Sequence, residues 1–146
     1  MLGEPERVAQ ATAEISPTDA QVDLRMRATL IFPGGREGRL EASFLAEEQA
    51  DVMLVLHGEH GRLEVNSLYV PQWGGNLRLL CGDRIYSEPA DATPSYVFQL
   101  RELARCVRHG APVLTSAADG VLNMRAIDAV YRAAGLRPRG LESHAA

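Results

Sequence analysis

The sequence predicts an α+β fold: a mostly antiparallel, open-faced sheet of about six strands with two C-terminal helices packed on one face. Three observations predict it. The N-terminal and central segments alternate apolar and polar residues, as strands with one buried face do. Short turns rich in Pro and Gly join consecutive segments into hairpins. The C-terminal part then switches to helical spacing, so strands come first and helices last.

Residues 7–15 read as a first strand, although their alanines leave a helix open. Residues 22–32 alternate clearly. Leu24, Met26, Ala28, Leu30 and Phe32 share one face; Asp23, Arg25, Arg27 and Thr29 share the other. Pro33-Gly34-Gly35 then turns the chain, and residues 38–45 alternate again with Leu40, Ala42 and Phe44 on one side. The run Val52-Met53-Leu54-Val55-Leu56 is apolar at consecutive positions and suits a strand covered on both faces. His57-Gly58-Glu59-His60-Gly61 turns into residues 62–65, and Gly82-Asp83 turns residues 76–81 into 84–87.

Helical spacing begins at Tyr96. Val97, Leu100, Leu103, Ala104 and Val107 form one stripe, which Gly110 stops. Ser116 is a good N-cap for a second helix over 117–134, with Asp119 three residues on. Val121, Met124, Ile127, Val130 and Tyr131 are its expected buried side. Gly135 and Pro138 end it. Residues 1–6 and 139–146 read as loose tails on one domain spanning 7–138.

Composition narrows the function classes. The chain has 146 residues and is 46% hydrophobic, which suits one globular domain and excludes a disordered chain. No apolar run approaches the roughly 20 residues that cross a bilayer, and the first residues do not form a secretory leader, so the expected location is cytoplasmic and off the membrane. Two cysteines are too few for a disulfide scaffold and are expected to be reduced and mostly buried. The net charge is −4 and the positive charges are dispersed, which argues against nucleic acid as a partner. All 15 basic residues are Arg. Without lysine there is no Schiff-base chemistry, no lysine acid or base and no P-loop.

Among possible constellations, His57 and His60 form an H-x-x-H pair without further ligands nearby, and read as exposed turn histidines rather than a metal site. His109 suits the C-terminal end of a helix dipole. Gly34-Gly35 and Gly74-Gly75 connect strand-like segments, outside the strand, glycine turn and helix that a dinucleotide needs. Glu47-Glu48 reads as solvated charge in a loop. Tyr69-Val70-Pro71-Gln72-Trp73 reads as a loop packed over the sheet; its functional reading is a lid or an interface contact by Tyr69 and Trp73. No self-contained catalytic constellation and no metal site is expected.

Several segments together resemble the C-terminal domain of the Gfo/Idh/MocA oxidoreductases, the glucose–fructose oxidoreductase and inositol dehydrogenase family. The run from Gly110 through Pro112, Thr115, Asp119 and Gly120 to Ile127-Asp128-Ala129-Val130-Tyr131 is similar to that family's closing pattern. Val22 to Ala28, Phe32, Gly35 and Leu40 to Phe44 resemble its first sheet hairpin. Leu56 to Leu63 resembles its G-x-x-G-x-L turn, and Tyr96 with Gln99-Leu100 fits the helix after its sheet. The resemblance covers about 8–138.

The resemblance implies the substrate and oligomerisation domain of an NAD(P)-dependent oxidoreductase acting on sugars, cyclitols or related polyols. Full-length members begin with a Rossmann domain and a Glu-Lys-Pro motif whose lysine is catalytic, and an Asp and a His follow on a helix at the start of the second domain. No residue here matches those positions, so no catalytic residue and no bound cofactor is assigned to this chain; NAD or NADP belongs to the complete enzyme. The implied substrate contacts are Ser43, Phe44 and Glu47. The expected partners are a second copy, joined through the sheet, and a Rossmann domain supplied elsewhere. A stand-alone assembly or sugar-binding module derived from the family is the alternative.

Overall fold

The computed structural model describes residues 3–45 and 53–140. Among them are seven strands and two helices: β1 (Arg7–Ile15), β2 (Asp23–Phe32), β3 (Arg36–Ser43), β4 (Leu54–Gly58), β5 (Gly61–Val65), β6 (Asn76–Cys81), β7 (Arg84–Pro89), α1 (Ser95–His109) and α2 (Ala117–Ala133). Every strand pairing is antiparallel, as the α+β reading expects. The strands form two sheets, ordered β1-β2-β3 and β4-β5-β6-β7. Each ladder joins sequence neighbours, so each sheet is a meander of hairpins. The chain divides into two compact units, Met1–Glu47 with Thr115–Ala146, and Glu48–Leu114. No helix among the described residues is long and apolar enough to cross a membrane.

In the first unit the alternation of β2 decides the packing. Met26, Ala28 and Phe32 are buried, while Arg25, Arg27 and Thr29 take the opposite face. Residues 7–15 form a strand despite their alanines, because pairing with β2 places Val8, Ala11 and Ala13 against the same core. The ladder shifts register between Val8 and Gln10, a bulge that lets these residues keep facing inward. Helix α2 closes the core with Val130, and Tyr131, Ala134 and Leu136 pack around it. Its start is capped as expected: the Ser116 hydroxyl accepts from the Asp119 amide at 3.2 Å. Its burial is narrower than the stripe predicts. Val121, Met124 and Ile127 are exposed, and the buried part is the C-terminal end. Beyond the helix, Arg139 lies 3.6 Å from Asp23 and 5.4 Å from the Tyr131 ring centre.

In the second unit the register sorts the four-stranded sheet into two unlike faces. Leu56 pairs with Leu63, Leu63 with Leu79 and Leu79 with Tyr86, which makes one face apolar. His57 pairs with Arg62 and Glu64 with Arg78 on the other, where Arg62 and Arg78 both bond Glu64. The run 52–56 therefore is not a strand covered on both faces. Val52 lies outside the described residues, β4 is an edge strand, and Met53, Leu54 and Leu56 are exposed. His60 sits with Glu59 in the two-residue turn between β4 and β5, and His57 is the strand residue opposite Arg62. Helix α1 ends on Gly110, whose φ of +63° supplies the left-handed cap that stops it. Along its expected stripe Val97 and Ala104 are half-buried, and Leu100, Leu103 and Val107 are exposed. Cys81 and Cys106 are free thiols, both half-buried.

Candidate functional site

The substrate-contact candidates Ser43 and Phe44 close the first sheet. Ser43 is the last residue of β3 and pairs with Arg25, and its hydroxyl accepts from the Leu45 amide at 3.1 Å. The Phe44 amide donates to the Leu24 carbonyl at 2.8 Å, which fixes its backbone, yet its side chain is 84% exposed. Phe44 is thus not a core residue of this chain, although the pattern of β3 puts it in phase with Leu40 and Ala42. Glu47 lies outside the described residues.

Next to Ser43, the polar face of the sheet carries a shallow cleft of about 370 Å³ lined by Gln10, Thr12, Arg27, Thr29, Arg39 and Glu41. Its fixed point is a two-pronged pair: Arg27 Nε and Nη2 donate to Glu41 Oε2 and Oε1 at 2.9 and 3.0 Å. Arg25 Nε stands 3.5 Å from Glu41 as well. The Arg27 hydrogen bond, helped by the charges of Arg27 and Arg25, holds the Glu41 carboxyl below the ordinary carboxylate range. Such a planar pair presents fixed acceptors and donors to hydroxyl groups. It supplies no nucleophile and no proton shuttle. The sequence shows each member separately; only the register of β2 on β3 brings Arg27 opposite Glu41.

The lid or interface candidates lie in the second unit. Pro71–Trp73 forms one 3-10 turn, capped by Gly74 at φ +87°. The loop is tied at both ends: the Gly75 amide donates to the Pro71 carbonyl at 2.8 Å, and the Ser95 hydroxyl donates to the Tyr69 carbonyl at 3.0 Å. Gly75 is buried so tightly that a Cβ there would sit 2.8 Å from Pro71 Cα and O. On this braced loop Tyr69 is 71% and Trp73 77% exposed. The two aromatic side chains do not pack down over the sheet, as the structural reading of the loop expects.

The described residues contain no group of three or more His, Cys, Asp or Glu arranged to hold a metal ion. They do not fit a dinucleotide either. Helix α1 starts at Pro94 and α2 at Ser116, so neither begins on a glycine turn that follows a strand.

The family described as the oxidoreductase family, C-terminal alpha/beta domain, matches residues 1–137. This chain belongs to the Gfo/Idh/MocA oxidoreductase family. Within it, the chain is 32% identical over 135 residues to D-xylose 1-dehydrogenase (NADP(+)) 2 of Haloferax volcanii, covering 91% of this chain and 40% of that protein. The aldose-aldose oxidoreductase of Caulobacter crescentus, solved with glycerol, shares the fold with a TM-score of 0.77 at 24% identity, over 91% of this chain and 40% of that one. A 3-ketoreductase of Actinomadura kijaniata, solved with NADP and TDP-benzene, superposes with a TM-score of 0.71 at 19% identity, over 90% and 39%. The Gfo/Idh/MocA domain described here therefore spans about 40% of the length of these relatives.

Proposed function

We propose that this Gfo/Idh/MocA domain is the substrate-side and oligomerisation part of an NAD(P)-dependent oxidoreductase that acts on a sugar, a cyclitol or a related polyol. The reaction is hydride transfer between a substrate carbon and nicotinamide. One observation carries the reading: residues 1–137 match the family's C-terminal domain, while the chain spans only 40% of the D-xylose dehydrogenase it resembles. In this reading the nucleotide-binding and catalytic groups come from a Rossmann domain outside these residues. Ser43, Phe44 and Glu47 contribute to the substrate wall, with the Arg27–Glu41 pair in the same sheet as Ser43. Tyr69 and Trp73 serve as a lid or as an interface contact with a neighbouring subunit.

A chimera tests the reading. The portion of the Haloferax enzyme that this chain does not match is fused ahead of it, and NADP reduction is followed with pentoses and polyols. Turnover that neither half gives alone is expected. A chimera that folds, binds NADP and oxidises none of these substrates would overturn the proposal. Tight NADH or NADPH binding by this chain alone would overturn the assignment of the nucleotide site to another domain.

A second copy of the chain is the other partner in this reading. The support is the apolar face built by Leu56, Leu63, Leu79 and Tyr86, with Leu56, Leu79 and Tyr86 exposed. A solvated apolar face of this kind invites association. A dimer of standard size would bury on the order of 1,600 Å² in total. Sedimentation at micromolar concentration should give twice the chain mass, and a clean monomer would sink this part of the proposal.

A further inference from the structure

The outer edge of the second sheet is complementary to itself. Strand β7 is last in the order β4-β5-β6-β7, so one of its edges faces no strand among the described residues. All its residues are exposed, Ile85 at 60% and Tyr86 at 53%. Its ladder with β6 runs without a shift from Arg84 opposite Cys81 to Pro89 opposite Asn76. Beyond the ladder the Ala90 amide donates to the Gly75 carbonyl at 2.8 Å. Backbone groups alternate in direction along a strand, so Arg84, Tyr86 and Glu88, in phase with Ala90, turn theirs toward β6. Ile85 and Ser87 turn theirs to the open edge, which is a template for another strand.

The side chains beside that edge select the occupant. Arg84 and Glu88 stand two residues either side of Tyr86 and share its face. Neither is hydrogen-bonded or ion-paired to another described residue. Opposite charges spaced evenly about a tyrosine repel most strands and match an antiparallel copy of themselves. About a two-fold axis at Tyr86, Arg84 lies opposite the second copy's Glu88, the two tyrosines face each other, and Ile85 exchanges both backbone bonds with the second copy's Ser87. The neighbouring registers are poorer. An axis at Ile85 sets Arg84 opposite a tyrosine, and an axis at Ser87 sets Glu88 there and wastes a bond on Pro89, which has no N–H.

We propose that the second unit joins a second copy of this chain by pairing β7 with β7, antiparallel about Tyr86, into one continuous sheet. This rests on the second-copy reading above and adds the place of contact. The apolar row Leu56, Leu63, Leu79 and Tyr86 then continues across the axis into its counterpart.

Hydrogen exchange and sedimentation of the full chain test it. The Ile85 and Ser87 amides should exchange slowly where the dimer forms and quickly on dilution to the monomer, while the Val55 amide of the other outer strand stays fast throughout. Ser87→Pro removes an outward donor and no bond to β6, and should weaken the dimer about tenfold or more. His57→Pro makes the same change on β4 and should leave the dimer within about twofold. Arg84→Glu should weaken it about tenfold, and adding Glu88→Arg should restore it, which keeps the test open should the proline variant misfold. A dimer whose Ile85 and Ser87 amides exchange quickly, or that ignores Ser87→Pro and Arg84→Glu, would overturn the edge pairing and leave the second-copy reading standing. Protection that persists in the monomer would overturn it too, because the chain itself would then cover the edge. A clean monomer at every concentration would overturn both.

Discussion

The Tyr131 hydroxyl donates to Asp23 Oδ1 at 2.7 Å, joining residues 108 positions apart. It ties the C-terminal end of α2 to the start of β2, beside the buried contact of Val130 with Met26 and Ala28. A part-buried hydrogen bond to a carboxylate is worth more than a neutral one. Tyr131→Phe keeps the ring and removes the donor. It should lower the unfolding free energy by about 1–2 kcal/mol, read by urea titration. An unchanged midpoint would mean that water replaces the bond at no cost.

The same contact gives a pH dependence. The hydrogen bond to Asp23, then burial, then the Asp23 charge raise the Tyr131 pKa above its ordinary value, opposed by Arg139. A folded pKa above the unfolded one means that the native state holds its proton more tightly. The stability this contributes is fully present below about pH 10 and is lost as pH rises through the higher folded value. The wild-type chain should therefore lose more stability than Tyr131→Phe between pH 9 and pH 11, and the two should respond alike between pH 6 and pH 8.

Burial along α2 predicts a contrast between two valines. Val130 is 5% exposed and Val121 is 52% exposed. Val130→Ala deletes two methyl groups from the core and should cost about 2 kcal/mol, from lost burial plus the cavity left behind. Val121→Ala, in the chain alone, should change stability by less than about 0.5 kcal/mol. Thermal or chemical denaturation of the two variants measures the difference. Equal losses would mean that a partner copy or another segment covers the start of the helix.

Much of the fold was legible because it rests on local rules. The alternation of Met26, Ala28 and Phe32 marks the buried face of β2, and Ser116 with Asp119 marks the start of α2. The stripe on α2 was only partly informative. Its period reports which side is apolar, while burial depends on what lies opposite, and Val121 and Met124 meet too little among the described residues. The candidate site was less legible still. Arg27 and Glu41 become a pair only through the register of β2 on β3, which no residue pattern announces. Glu47 lies outside the described residues, so its assignment rests on the sequence alone.

A last prediction concerns Gly61, the first residue of β5. Its φ is ordinary, so conformational freedom is not what the position demands. The demand is space: a Cβ there would lie 2.3 Å from the Leu80 carbonyl oxygen and 3.0 Å from Cys81 Sγ. The oxygen belongs to the β6 backbone, which is held in the sheet on both sides by β5 and β7, so it cannot swing aside as a side-chain tip would. Gly61→Ala must therefore push β5 and β6 apart, at a cost of about 1–3 kcal/mol. Gly58→Ala is the matched control on the partner strand. Gly58 pairs with Gly61, and its added Cβ meets only the Gly61 carbonyl oxygen at 3.7 Å, an ordinary contact. Denaturation of both variants should show a clear loss for Gly61→Ala and a much smaller one for Gly58→Ala. Equal losses would place the cost in the shared turn rather than in the approach of β5 to β6.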